Sequence, residues 1–168
     1  TLVDSSDFDG DLYAQAVREV LALARVRGAF GRRLDRYLAE GGECVAIRGA
    51  AAALATLRAR GHKVGIATGG FGHTALRKLE SAGFDTRGLV LASSDDGFDR
   101  AEIMRLCLAR LGGDEQNALY VGDAPWDVEA TRRAGWSFVG LRPRLVGRCE
   151  AWIENFADPR WTELCGAA

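Results

Sequence analysis

In Val121-Gly122-Asp123-Ala124-Pro125-Trp126-Asp127, an apolar run over 117–122 ends on a carboxylate, and a second carboxylate follows four residues later at a helix start. Two acids held together at a strand end repel one another and call for a counter-charge, most simply a hard, oxygen-seeking cation such as Mg²⁺. Capping of the helix by Asp127 would account for one acid and leave Asp123 unexplained. Outward from this stretch, the same alternation recurs in both directions. A helix over 127–134, ended by Gly135, leads to a strand over 136–140; upstream, a helix over 100–111, ended by Gly112-Gly113, leads into the strand over 117–122. Before it come a helix over 74–82 closed by Gly83, a strand over 88–92, and a helix over 51–60 closed by Gly61 that leads to the apolar run 63–68. Strands alternating with helices require right-handed crossovers and a parallel sheet covered on both faces, and strands apolar on nearly every residue fit that burial.

The flanks read differently. Leu12, Ala16, Val20 and Leu23 recur at helical spacing, and Phe30, Leu34, Tyr37 and Leu38 repeat the pattern after Gly28, so a helical hairpin ending at Gly41-Gly42 is expected. Beyond Leu141 the periodicity fades, and 149–156 is expected to form a short helix.

With 168 residues, the chain suits one core and a small appendage. Its 48% hydrophobic and 27% charged residues and net charge of −1 describe an ordinary globular protein and offer no surface for a polyanion, so no nucleic-acid partner is expected. No apolar run approaches the ~20 residues of a membrane span, and no basic patch with an apolar stretch opens the chain. A cytoplasmic location without a membrane partner is therefore expected. Cys44, Cys107, Cys149 and Cys165 are too scattered for a zinc site or disulfide framework and are expected to be reduced and mostly buried. His62 and His73 read as loop or surface residues. The chain opens on Thr1 and its one methionine is Met104, so the natural N-terminus is expected to lie upstream.

Ligands of an open parallel sheet bind beyond the carboxyl ends of its strands. Thr68-Gly69-Gly70 ends one strand just ahead of a helix, where the Thr68 hydroxyl and the amides of Gly69 and Gly70 could hold a phosphate. Arg100 begins the next helix but one, where a cation opposes the helix dipole, and that cost suggests a use.

Taken in order, these residues resemble the haloacid dehalogenase superfamily of hydrolases. Thr1-Leu2-Val3-Asp4-Ser5 looks like the tail of its first motif, Ile66-Ala67-Thr68-Gly69 resembles the second, Arg100 falls where the third has Lys or Arg, and Gly122-Asp123-x-x-x-Asp127 matches the fourth. The resemblance implies a Rossmann-like α/β core over 1–5 and 46–168, akin to phosphoglycolate phosphatase and β-phosphoglucomutase, with a small helical cap over 6–45 that is smaller than the cap of such relatives. It also implies a phosphatase acting through an aspartyl-phosphate on a small phosphorylated metabolite. Thr68 and Arg100 would be catalytic, Thr68, Gly69, Gly70 and Arg100 would bind the phosphate, and Asp123 and Asp127 would hold Mg²⁺. Both motif-one aspartates would fall ahead of Thr1, so the central strand and the nucleophile are expected to be missing from this chain, and the chain to be inactive. Asp7-Phe8-Asp9-Gly10 spells the same motif but lacks a buried strand before it, because Ser5-Ser6 breaks the run.

A rival is a nucleotide-dependent oxidoreductase, since Gly70-x-Gly72-x-x-Ala75 follows a strand and opens a helix, with Asp95 at the next strand end. That reading gives Asp123 and Asp127 no task. A dehalogenase of the same superfamily needs no metal, so the acid pair favours phosphate chemistry. A non-catalytic binding protein of the same fold is the third possibility.

Overall fold

The computed structural model describes residues 10–166, and the motif-one tail Thr1–Ser5 and the acids Asp7 and Asp9 lie outside them. The described residues fall into two compact units divided between Gly42 and Glu43.

The first unit is one helix, α1 (Gly10–Ala39), of 30 residues. The expected hairpin is thus corrected: the chain runs straight through Gly28. A glycine inside a helix costs only ~1 kcal/mol relative to alanine, so Gly28 and Gly31 are both tolerated, and with no proline or adjacent turn residue nothing reverses the chain.

The second unit carries the α/β alternation. Its elements are α2 (Ala50–Ala59), β1 (Gly65–Ala67), α3 (Gly72–Ser81), β2 (Val90–Ala92), α4 (Arg100–Arg110), β3 (Leu119–Gly122), α5 (Pro125–Ala134), β4 (Ser137–Leu141), β5 (Ala151–Ile153) and α6 (Arg160–Gly166). All pairings are parallel. β1 lies beside β2 with Ile66 opposite Leu91, and β3, β4 and β5 form a second sheet in that order, with Val121 opposite Val139 and Gly140 opposite Trp152. β1 and β3 are not hydrogen-bonded neighbours.

Alternation along β3 explains how both faces are covered. Leu119 and Val121 join Val139, Leu141 and Ile153 beneath Ala53 of α2 and Trp161 of α6. Tyr120 points the other way, into the cluster of Ala101 and Met104 from α4 and Ala130 from α5. Behind β2, Ile103 and Cys107 of α4 close the core against Ala92.

The segment 149–156 is not a helix: its centre is β5, the third strand of the second sheet. Ile153 is fully buried on that sheet's covered face, and the tail then turns into α6, whose Trp161 packs edge-on against Phe156 at 5.0 Å. Cys107 and Cys165 are buried, Cys44 and Cys149 half-buried, and all four are unbridged. His62 and His73 are exposed. No described helix is long and apolar enough to cross a membrane.

Candidate active site

The carboxyl ends of β1 and β3, with the first turns of α4 and α5, gather most of the residues singled out in the sequence. Arg100 is the hub. Its own helix is capped by Asp99, whose carboxylate accepts the amides of Ala101 at 2.9 Å and Glu102 at 3.2 Å, which offsets the misfit of a cation at a helix start. The Arg100 side chain then crosses the strand ends. Nε lies 3.1 Å from Asp127 Oδ1, and Nη1 donates to the Ala67 carbonyl at 3.5 Å. The guanidinium also lies against Gly69, where a β-carbon would sit 3.4 Å from Nη2. Residues of the second, third and fourth motifs therefore meet around one side chain.

Asp127 serves two masters. Oδ2 accepts the Ala124 amide at 3.2 Å, closing the first turn of α5 behind Pro125, so the capping role is real. Oδ1 is buried, faces Arg100, and has no well-aligned hydrogen-bond partner. Burial pushes the Asp127 carboxyl above the ordinary carboxylate range, Arg100 opposes that push, and the nearby Asp123 charge adds to it. Asp123 itself is half-buried at the end of β3.

Gly122 permits this closeness. A β-carbon there would lie 2.7 Å from Asp127 Cβ and 2.8 Å from its Cγ, far inside contact distance. Gly122→Ala should drive the Asp127 carboxylate away from Arg100 and cost about 1–3 kcal/mol by overpacking. Urea unfolding of the variant checks this, and a change below measurement error would show that the turn yields freely.

Thr68 follows β1, with its amide donating to Ala92 O at 2.9 Å, and its hydroxyl oxygen accepts the Gly70 amide at 3.1 Å. That bond leaves the hydroxyl proton to donate, but it already engages the Gly70 amide that the sequence assigns to phosphate. Sequence reasoning missed Tyr120. Its hydroxyl donates to the Ala67 carbonyl at 3.3 Å, beside Arg100, and burial raises its pKa to about 12. An aromatic inside an apolar strand gives no signal of such a role.

Gly70 and Gly72, the glycines of the oxidoreductase reading, find another explanation. The Gly72 amide donates to Asp95 Oδ2 at 3.0 Å, and a β-carbon on Gly72 would crowd Ser93 Oγ at 3.1 Å. Asp95 thus sets a carboxylate at the start of α3, where a dinucleotide would place its pyrophosphate, and like charges there oppose binding.

Whether a cation fits can be judged from the donors. Asp123 and Asp127 offer hard carboxylate oxygens, one of them buried and lacking a hydrogen bond, which suits a hard cation. Among the described residues no group of three or more His, Cys, Asp or Glu side chains comes together, so the pair would form part of a coordination shell.

Residues 3–135 match the family model for a haloacid dehalogenase-like hydrolase. Among solved structures, the chain is similar to a hydrolase from Pseudomonas syringae, with 27% identity, a TM-score of 0.66 and coverage of 74% of this chain and 62% of that one. It is also similar to a Bacteroides vulgatus protein provisionally named a beta-phosphoglucomutase, with 18% identity, a TM-score of 0.58 and coverage of 72% and 54%. A dehalogenase shares 21% identity and a TM-score of 0.56, over 68% of this chain and 55% of that one. The chain thus spans less than two thirds of the length of each of these structures. No protein of curated function matches it significantly.

Proposed function

The chain belongs to the haloacid dehalogenase-like hydrolases, and from that premise we propose a Mg²⁺-dependent phosphatase activity on small phosphomonoesters. The observation that carries the reading is the Arg100–Asp127 pair at 3.1 Å, which ties the third motif to the fourth across the strand ends. Asp127 Oδ1 is buried, paired with Arg100 and without a hydrogen bond, which leaves lone-pair capacity beside a second acid that suits a hard cation.

In this mechanism the Thr68 hydroxyl donates to a phosphate oxygen and fixes the ester at the end of β1. Arg100 holds Asp127 in place and sets positive charge beside the transferring group. Asp123 and Asp127 would hold Mg²⁺, which when bound supplies charge neutralisation to the phosphoryl oxygens. By resemblance, a motif-one aspartate attacks phosphorus and the ester oxygen leaves with a proton from the second motif-one aspartate. Water, giving a proton to that second aspartate, then attacks the aspartyl-phosphate, which releases phosphate and restores both aspartates to their starting forms.

The likeness to a dehalogenase leaves a second chemistry to test, since carbon–halogen cleavage in this superfamily needs no cation. The full-length protein should release phosphate from p-nitrophenyl phosphate and other small phosphomonoesters, lose that activity in EDTA, and release no chloride from 2-chloropropionate. Chloride release that persists in EDTA would replace the phosphatase reading with the dehalogenase one.

A further inference from the structure

Phe98 is 87% exposed and Trp126 is 63% exposed, whereas every other aromatic side chain described between 43 and 166 is at least partly covered. Single exposed apolar residues are common and need no explanation. These two, however, share one place in the fold. Phe98 immediately precedes Asp99, the cap of α4, and stands two residues before Arg100; Trp126 lies in the first turn of α5, directly before Asp127. The Arg100–Asp127 pair joins the two helix starts, while Arg133, in the last turn of α5, reaches Asp99 at 2.8 Å. Both aromatics are therefore carried within two residues of the Arg100–Asp127 pair at the strand-end rim, the pair whose arginine would grip phosphate.

We infer that Phe98 and Trp126 form an aromatic edge for the leaving group, so that the site favours phosphomonoesters whose alcohol carries a planar aromatic ring over small aliphatic ones. This rests on the phosphatase reading and adds a substrate class to it. Thr68 and Arg100 recognise the phosphate and are indifferent to what it esterifies. A ring laid on indole and phenyl faces would gain stacking and lose apolar surface to water, whereas an ethyl group gains little of either.

The test compares phenyl phosphate with ethyl phosphate in the full-length protein and in Trp126→Ala, Phe98→Ala and the double variant. Dividing each variant's effect on one ester by its effect on the other removes the difference in leaving-group reactivity. The double variant should lower kcat/KM for phenyl phosphate about tenfold more than for ethyl phosphate, chiefly through KM, and Trp126→Phe should restore most of the difference. Equal effects on both esters would overturn the inference and leave the phosphatase reading standing. If the parent hydrolyses neither ester, the phosphatase reading fails, and binding decides the rest. Quenching of tryptophan fluorescence by phenyl phosphate, absent with ethyl phosphate and lost in Trp126→Phe, would still support an aryl-phosphate edge; no such quenching would overturn it.

Discussion

Replacing Arg100 with leucine should cost about 3–5 kcal/mol of stability at pH 7, because it leaves the Asp127 carboxylate buried without its counter-charge. The pair is well shielded, with the Arg100 side chain 21% exposed and that of Asp127 6%. Solvent can do little to replace the lost cation. The loss should depend on pH, and its sign follows from which state holds the extra proton. Burial already raises the Asp127 carboxyl, and Arg100 is the chief force pulling it down. Without Arg100 the folded state binds a proton more readily than the unfolded chain over a wider range. Stability of the variant should therefore fall as pH rises from the ordinary carboxylate range through the raised Asp127 value, and the deficit should shrink towards about pH 4.5. Urea unfolding at the two pH values measures this. Adding Asp127→Asn to the variant should recover much of the loss, since the amide oxygen can still accept the Ala124 amide. A deficit that is small at both pH values, or the same at both, would mean that the pair is solvated.

Asp123→Asn should lower turnover of a phosphomonoester by about a hundredfold or more, since it removes one of the two hard oxygen ligands of the proposed metal position. Its effect on folding should run the other way. The Asp123 charge adds to the upward push on Asp127, so removing it relieves a buried like-charge repulsion. A variant that loses activity while its unfolding midpoint in EDTA holds or rises has lost a ligand and kept its structure. Loss of both would point to misfolding, and retention of turnover would remove Asp123 from the site.

The strand-end acids and the alternating core were legible because their signals are local. Gly61, Gly83, Gly112 and Gly135 end helices where the chain enters positive φ, and short apolar runs follow each of them. The family resemblance drew on that order, and the match over 3–135 agrees with it. What escaped depends on contacts between distant residues. Ala151-Trp152-Ile153 is too short to distinguish strand from helix by period, and only its place beside β4 makes it a strand. Gly28 looked like a break, but Gly28 and Gly31 are separated glycines without a proline, and the long run of Ala, Leu and Arg around them carries the helix through both. The Gly70-x-Gly72 pattern mimicked a nucleotide fingerprint, although Gly72 is needed for its close approach to Ser93 and Asp95. Tyr120 and Arg100 converge on the Ala67 carbonyl from residues 53 and 33 positions away, a meeting that no spacing rule anticipates.

Calorimetric titration of Mg²⁺ into the full-length protein, with Asp123→Asn alongside, tests most directly whether the strand-end carboxylates form a metal position. Saturable binding near one ion per chain, abolished or weakened at least about tenfold in the variant, is the predicted result. No binding to the parent, or equal binding to both proteins, would contradict it.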